Sequence, residues 1–315
     1  MSTSPRIPDA PAGERRPVTV PQLGEMKERG EPIVMVTAYD FPSAQVAEEA
    51  QVDVVLVGDT AAMTVLGYES TVPVSMDEMV MLASAVRRGA RTPLVVGDLP
   101  FGTYQASNEQ AVASAIRYMK EAGCDAVKME MAGVSGGVAD KRESAARARA
   151  VVAAGIPVMG HVGLTPQSSS ALGGYRTQGR TMEQAVQVAD DALALQDAGC
   201  FAVVFEAVPA AVTEVIMERM RIPVIGIGAG AATDGQVLVF HDMLGLYEGR
   251  SPRFVKRFAD AKRVMVEGVR AYADEVRDGR FPGDEHTYAI DPVELERFRA
   301  VIAPGKPWDA ADFMT

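Results

Sequence analysis

The chain has 315 residues, 48% of them apolar and 23% charged, which is ample material for a packed core and excludes disorder throughout. Its 31 Lys and Arg against 42 Asp and Glu leave a formal charge of −11, a balance that repels a phosphate backbone and argues against a nucleic-acid partner. Two cysteines make neither a disulfide framework nor a zinc-ligand pattern, so a reducing, cytoplasmic setting is expected.

Residues 1–22 lack the apolar stretch of a signal peptide and carry acids that transit peptides avoid, so they read as a disordered leader. No apolar run reaches the roughly 18 to 20 residues that span a bilayer. A membrane is therefore not an expected partner.

From residue 33 onward, short β-branched runs alternate with longer stretches rich in Ala, Glu, Arg and Met, the rhythm of parallel βαβ units. Strands are predicted at 33–37, 54–57, 94–97, 126–130, 157–161, 202–206, 224–227 and 237–240. Several are unbroken apolar runs, as expected of strands covered on both faces. Helices are predicted at 42–50, 76–88, 108–122, 142–154, 183–198 and 210–220, with Gly89, Gly123, Gly155 and Gly199 as left-handed caps. Eight strands in this arrangement predict a single (β/α)8 TIM-type barrel over 23–288, including C-terminal helices. A doubly wound open sheet is the alternative, and 289–315 is an extension, carrying Trp308, to which no role is assigned.

The frame Ala-Gly-Cys-x-Ala-Val-x-x-Glu recurs at 122–130 and 198–206. Cys124 and Cys200 thus read as small core residues at equivalent places rather than as nucleophiles.

The C-terminal strand ends of such a barrel hold its active site, and here they are charged. They offer Asp59 with Thr60, then Asp98, Lys128 and Glu130, His161, and Glu206. Crowded buried carboxylates need compensation. Asp59, Asp98 and Glu130, oxygen donors only, suit Mg2+ that keeps waters and takes substrate oxygens. Each Asp taken alone could equally cap the next helix; Glu130 is a poor cap, which favours the metal for the set.

Lys128 and Glu130, two apart on a strand, share a face and are expected to pair. Glu206 sits in the apolar run VVFEAVP, where burial favours its protonated form and a general-base role, or else a structural one. The Gly-rich loop after 224–227 lacks a full dinucleotide fingerprint and reads as a tight turn whose amides could meet an anion. His241 and His286 read as structural polar contacts.

The ordered motifs VTAYD (36–40), VLVGDT (55–60), STVPVSMDEM (70–79), GDLPFGTY (97–104), KME (128–130), GHVGLTPQS (160–168), GGYRTQGR (173–180), EAVP (206–209), PVIGIGAGAATDGQVLVFHDMLG (223–245) and FPGDEH (281–286) resemble the ketopantoate hydroxymethyltransferase family. The resemblance runs from about residue 17 to 288. It implies a barrel of the phosphoenolpyruvate mutase/isocitrate lyase-like group, assembled as a homodecamer. It further implies one Mg2+ per subunit at Asp59, Asp98 and Glu130. A 2-oxo acid would be held by Asp59, Thr60, Asp98, Lys128 and His161, with Glu206 as proton acceptor.

The implied reaction transfers a hydroxymethyl group from 5,10-methylenetetrahydrofolate to 3-methyl-2-oxobutanoate, giving 2-dehydropantoate on the route to pantothenate. This chain departs from the family pattern at Thr60 (usually Ser), at Met131 (usually Gly) and at Ser168 to Ser170 (usually Ser-Val-Asn). A relative acting on another 2-oxo acid is therefore the second reading, and a non-catalytic barrel the third.

Overall fold

The computed structural model describes residues 15–131, 138–168, 174, 176–246 and 252–302. Eight parallel strands close in sequence order. They are β1 Ile33–Thr37, β2 Val54–Val57, β3 Leu94–Asp98, β4 Ala126–Glu130, β5 Val158–Gly163, β6 Ala202–Glu206, β7 Val224–Ile227 and β8 Gly235–Leu238. β8 pairs with β1 from Ile33↔Gly235 to Val36↔Leu238. The sheet has no edge, so the doubly wound alternative is excluded. β8 lies two residues ahead of the predicted 237–240, because Phe240 opens a helix whose first amide donates to Thr37 Oγ1 at 2.9 Å.

The helices of this unit are α1 Val20–Arg29, α2 Phe41–Glu49, α3 Ala61–Thr64, α4 Met76–Gly89, α5 Asn108–Arg117, α6 Val138–Ala153, α7 Met182–Asp197, α8 Ala210–Met217 and α9 Phe240–Met243. Side-chain caps start several of them: Asp40 accepts from the Ser43 amide, Ser75 from Glu78, and Thr181 from Gln184, satisfying donors that a helix start leaves open. The helix predicted over 108–122 changes to a π turn at Tyr118–Ala122 before Gly123 closes it at φ 70°. Gly155 and Gly199 are also left-handed, at 83° and 94°. Gly89 is not a cap. It is the last helical residue of α4, and a Cβ there would stand 2.6 Å from Phe41 O and 2.8 Å from Ala44 Cβ, so its bareness lets α2 approach α4.

Alternation along the strands sorts side chains into two layers. Val55, Val57, Val95, Val127, Met129, Val203 and Phe205 join the layer between barrel and helices. Ile33, Met35, Val54, Leu56, Leu94, Val96, Ala126, Met159, Ala202, Val204 and Ile225 fill the interior with Leu23 of α1, while Val18, Val20 and Met26 pack against that cluster.

The leader expectation is corrected for its last eight residues. Arg15 ion-pairs with Asp53 at 2.7 Å, the Val18 amide donates to Thr92 O at 2.7 Å, and α1 begins at Val20. Apolar Val18, Val20 and Leu23 give this stretch something to bury. Residues 1–14 lie outside the described residues.

A second compact unit begins at Ala261, ahead of the boundary expected at 288. It carries α10 Ala261–Arg277 and α11 Pro292–Val301, whose side chains are all unburied. Between them, Phe281 packs against Tyr272 and His286. Trp308 and the rest of 303–315 lie outside the described residues. Among the described residues, no helix is long and apolar enough to cross a membrane.

Candidate active site at the strand ends

The inward register of β3 to β6 brings the charged residues together. Leu94, Val96, Ala126, Met159, Ala202 and Val204 face the interior. Two-residue periodicity then puts Asp98, Lys128, Glu130, His161 and Glu206 on the same face, nearer the strand ends. Pairing aligns Asp98 with Lys128, Glu130 with His161, and Gly163 with Glu206. Asp59 follows β2, its amide donating to Asp98 Oδ2 at 3.1 Å. Asp59, Asp98, Lys128, Glu130 and His161 are all buried.

The expected pairing of Lys128 with Glu130 is corrected. Lys128 Nζ donates to Asp98 Oδ1 at 2.7 Å, because strand register sets the neighbouring carboxylate level with it. Burial alone would lower the Lys128 ammonium. The charges of Asp98, Glu130 and Asp59 outweigh that, and its pKa stands above the ordinary value.

His161 lies between two acids. Its Nδ1 is 3.4 Å from Glu130 Oε1 and its Nε2 is 3.2 Å from Glu206 Oε2. These are ion-pair separations without hydrogen-bond alignment, and both ring nitrogens and Glu130 Oε1 have no hydrogen-bond partner among the described residues. Burial and the Lys128 charge push His161 down; Glu130 and Glu206 prevail and raise it to about 9.

Glu206 differs from its expectation. Its side chain keeps 16% of its surface accessible, so the burial expected of it is incomplete, although it ends β6 as expected. Ala207 turns the chain there at φ 50°, a left-handed conformation that costs a non-glycine residue about 1–2 kcal/mol. Two backbone hydrogen bonds hold it: the Ala207 amide donates to Ile227 O, and its carbonyl accepts from Gln178 N.

Three further residues belong to this network and were not singled out from the sequence. Gln167, in the turn Pro166–Ser168 after β5, donates through Nε2 to Asp59 Oδ2 at 3.0 Å and through its backbone amide to Glu130 Oε2 at 3.1 Å. Tyr104 donates to Gln167 Oε1 at 2.7 Å. Burial, with the charges of Glu130, Asp98 and Asp59, keeps that phenol well above its usual pKa and so protonated. Tyr39 shares a 2.7 Å hydrogen bond with Thr60 Oγ1, and burial pushes its phenol up to about 12. The motifs VTAYD, GDLPFGTY and GLTPQS contain all three; what drew no notice is that an uncharged residue can organise charged ones.

Asp59 does not cap the helix after it. The N-cap of α3 is Thr60, without a side-chain cap bond. Burial and the charges of Asp98 and Glu130 push the Asp59 carboxyl well above its usual pKa, against the opposing effect of Lys128 and Gln167. The Asp59 carboxylate is thus crowded by more acids than Lys128 and Gln167 compensate. Among the described residues, no group of three or more His, Cys, Asp or Glu side chains stands as a ready-made metal cage. An all-oxygen set with a buried Glu130 oxygen that accepts no hydrogen bond among the described residues nevertheless fits Mg2+, which takes one or two carboxylates and completes its shell from water and substrate.

Of the other residues marked out by the sequence, Cys124 and Cys200 are free and buried, Met131 is buried, and Ser169 and Ser170 lie outside the described residues. His241 packs against the Tyr39 ring at 5.4 Å between centroids and a 41° tilt, and burial lowers its pKa. In the second unit, His286 Nδ1 accepts from the Gly283 amide at 3.2 Å. A groove of about 700 Å³, lined by Lys27, Val34, Thr233 and Phe254 among others, shares no residue with the cluster.

The sequence model of a family described as ketopantoate hydroxymethyltransferase matches residues 17–284. The chain is 51% identical over 280 residues to a 3-methyl-2-oxobutanoate hydroxymethyltransferase of Carboxydothermus hydrogenoformans, covering 89% of this chain and 98% of that protein. It is 52% identical over 275 residues to one of Moorella thermoacetica, covering 87% and 99%. Among solved structures it is similar in fold to a phosphonopyruvate hydrolase in complex with oxalate and Mg2+ (TM-score 0.56, 16% identity, 91% of this chain and 99% of that one). It is also similar to 2,3-dimethylmalate lyase, a member of the phosphoenolpyruvate mutase/isocitrate lyase superfamily (TM-score 0.55, 18% identity, 88% and 93%).

Proposed function

The chain belongs to the ketopantoate hydroxymethyltransferase family, and from that premise we propose that it transfers a hydroxymethyl group from 5,10-methylenetetrahydrofolate to 3-methyl-2-oxobutanoate. The observation that carries this reading is the meeting of three carboxylates with Lys128 and His161 at the strand ends, with Glu206 on the far side of His161. Asp59, Asp98 and Glu130 would hold Mg2+, which when bound supplies Lewis-acid polarisation of the 2-oxo and carboxylate oxygens of the substrate.

The chain's own residues do the rest. Lys128, fixed against Asp98, keeps a permanent positive charge where negative charge develops as C3 loses its proton. Glu206, the least buried acid of the group, takes that proton through its carboxylate. His161, with Nε2 3.2 Å from Glu206 Oε2, steadies that carboxylate before the transfer. The Thr60 hydroxyl, hydrogen-bonded to Tyr39, would bind the substrate carboxylate.

The C3 carbon then bonds to the one-carbon unit released from the folate nitrogens, and one water supplies the hydroxyl oxygen. The products are 2-dehydropantoate and tetrahydrofolate. A homodecamer in the cytoplasm completes the proposal. Its test is Mg2+-dependent formation of 2-dehydropantoate by the purified protein, run beside straight-chain and larger branched 2-oxo acids. Faster turnover of another acid would transfer the assignment to that substrate.

A further inference from the structure

We propose that Gln167, locked by Tyr104, is a positioning residue that sets the Asp59 and Glu130 carboxylates for a divalent cation. The inference rests on the cation site proposed above. Gln167 is 5% exposed, and every hydrogen-bonding capacity of its side-chain amide is used. Nε2 donates to Asp59 Oδ2 at 3.0 Å and to Leu99 O at 2.9 Å. Oε1 accepts from Tyr104 Oη at 2.7 Å and from Gln105 Nε2 at 3.3 Å.

The amide therefore has one orientation. Flipped, it would set its oxygen against the Asp59 carboxylate and the Leu99 carbonyl, both acceptors. Tyr104, itself buried and fixed near Glu130 O, donates to the amide oxygen of the working orientation.

The same residue reaches the second carboxylate through its backbone, with Gln167 N donating to Glu130 Oε2 at 3.1 Å. One residue thus occupies one oxygen of each acid, leaving Asp59 Oδ1 and Glu130 Oε1 unengaged by it. Glu130 Oε1 is buried and has no hydrogen-bond partner among the described residues. Such outer contacts fix a ligand's direction before the metal arrives, and losing one typically weakens metal affinity 10- to 100-fold.

The test is Mn2+ binding followed by electron paramagnetic resonance without 2-oxo acid, so that affinity is read apart from turnover. Gln167→Ala is expected to weaken Mn2+ binding on the order of 10- to 100-fold and Tyr104→Phe about tenfold. Melting temperatures measured alongside separate a folding defect from a metal defect. Should Gln167→Ala fail to fold, Tyr104→Phe, which removes one oxygen atom, decides alone. Mn2+ affinity within twofold of the wild type in the folded variants overturns the positioning role. Failure of the wild-type protein itself to take up Mn2+ overturns the cation site, and this inference with it.

Discussion

Lys128 and Asp98 form a sealed ion pair: Nζ stands 2.7 Å from Oδ1, with 5% and 2% of the two side chains accessible. Breaking a buried pair by removing one partner leaves an uncompensated charge and typically costs about 3–5 kcal/mol. Asp98→Ala is accordingly expected to destabilise the protein by that order and to abolish Mg2+-dependent turnover. Urea unfolding checks the first effect and a product assay the second. Wild-type stability together with full metal-free activity would remove both roles from Asp98.

Glu206→Gln keeps the shape of the side chain and removes the proposed base. Exchange of the substrate C3 proton in deuterated water should fall by about 10²- to 10⁴-fold, while Mn2+ binding is retained. Proton NMR of 3-methyl-2-oxobutanoate with each protein measures the exchange. Undiminished exchange would transfer the proton acceptor elsewhere.

Tyr39→Phe takes away the hydrogen bond that orients the Thr60 hydroxyl. A neutral hydrogen bond is worth roughly 0.5–1.5 kcal/mol net, so KM for the 2-oxo acid should rise several-fold while kcat changes little. Steady-state kinetics separate this outcome from a change in kcat alone, which would mean Tyr39 acts on the chemical step.

Burial pushes both thiols up to about 12 from an ordinary value of 9.0. In the folded protein they stay protonated at neutral pH and should resist a disulfide reagent that titrates both within minutes in urea. The raised folded value also fixes the sign of their linkage to stability. Their contribution is complete below pH 9 and is lost as pH rises toward 12. Rapid reaction of either thiol in the native protein would contradict its burial.

Leu23 is 1% exposed within the barrel-interior cluster. Leu23→Ala should cost about 2–5 kcal/mol and leave the kinetic constants near wild type, since the strand-end cluster contains no residue of α1. Thermal unfolding and a routine assay test the two halves of that expectation.

The barrel was legible because its strands are apolar, β-branched and separated by good helix formers. The charged strand ends were legible because a charge at the close of an apolar run needs a reason. The less visible features depend on register and loops. That Lys128 meets Asp98 rather than Glu130 follows from pairing between β3 and β4, which no local pattern encodes. Gln167 escaped notice because an amide in a Pro-containing turn has the composition of any loop. The order of residues 15–22 was hidden by proline and arginine neighbours, although Val18 and Leu23 carry the apolar signal that anchors them.

The sorting of β4 into two faces has a consequence for how this protein can change over time. Ala126, Lys128 and Glu130 look inward while Val127 and Met129 look toward the helices. Adding or losing one residue ahead of that strand would exchange the two sets at a stroke. An ammonium and a carboxylate would be driven into the helix layer and aliphatic side chains into the mouth. Substitutions at the mouth can be tried one at a time, but the chain length between β3 and β4 can drift only where the intervening loop absorbs it. Diversification of the chemistry is therefore channelled into loops and single exchanges, and the strand spacing is inherited whole.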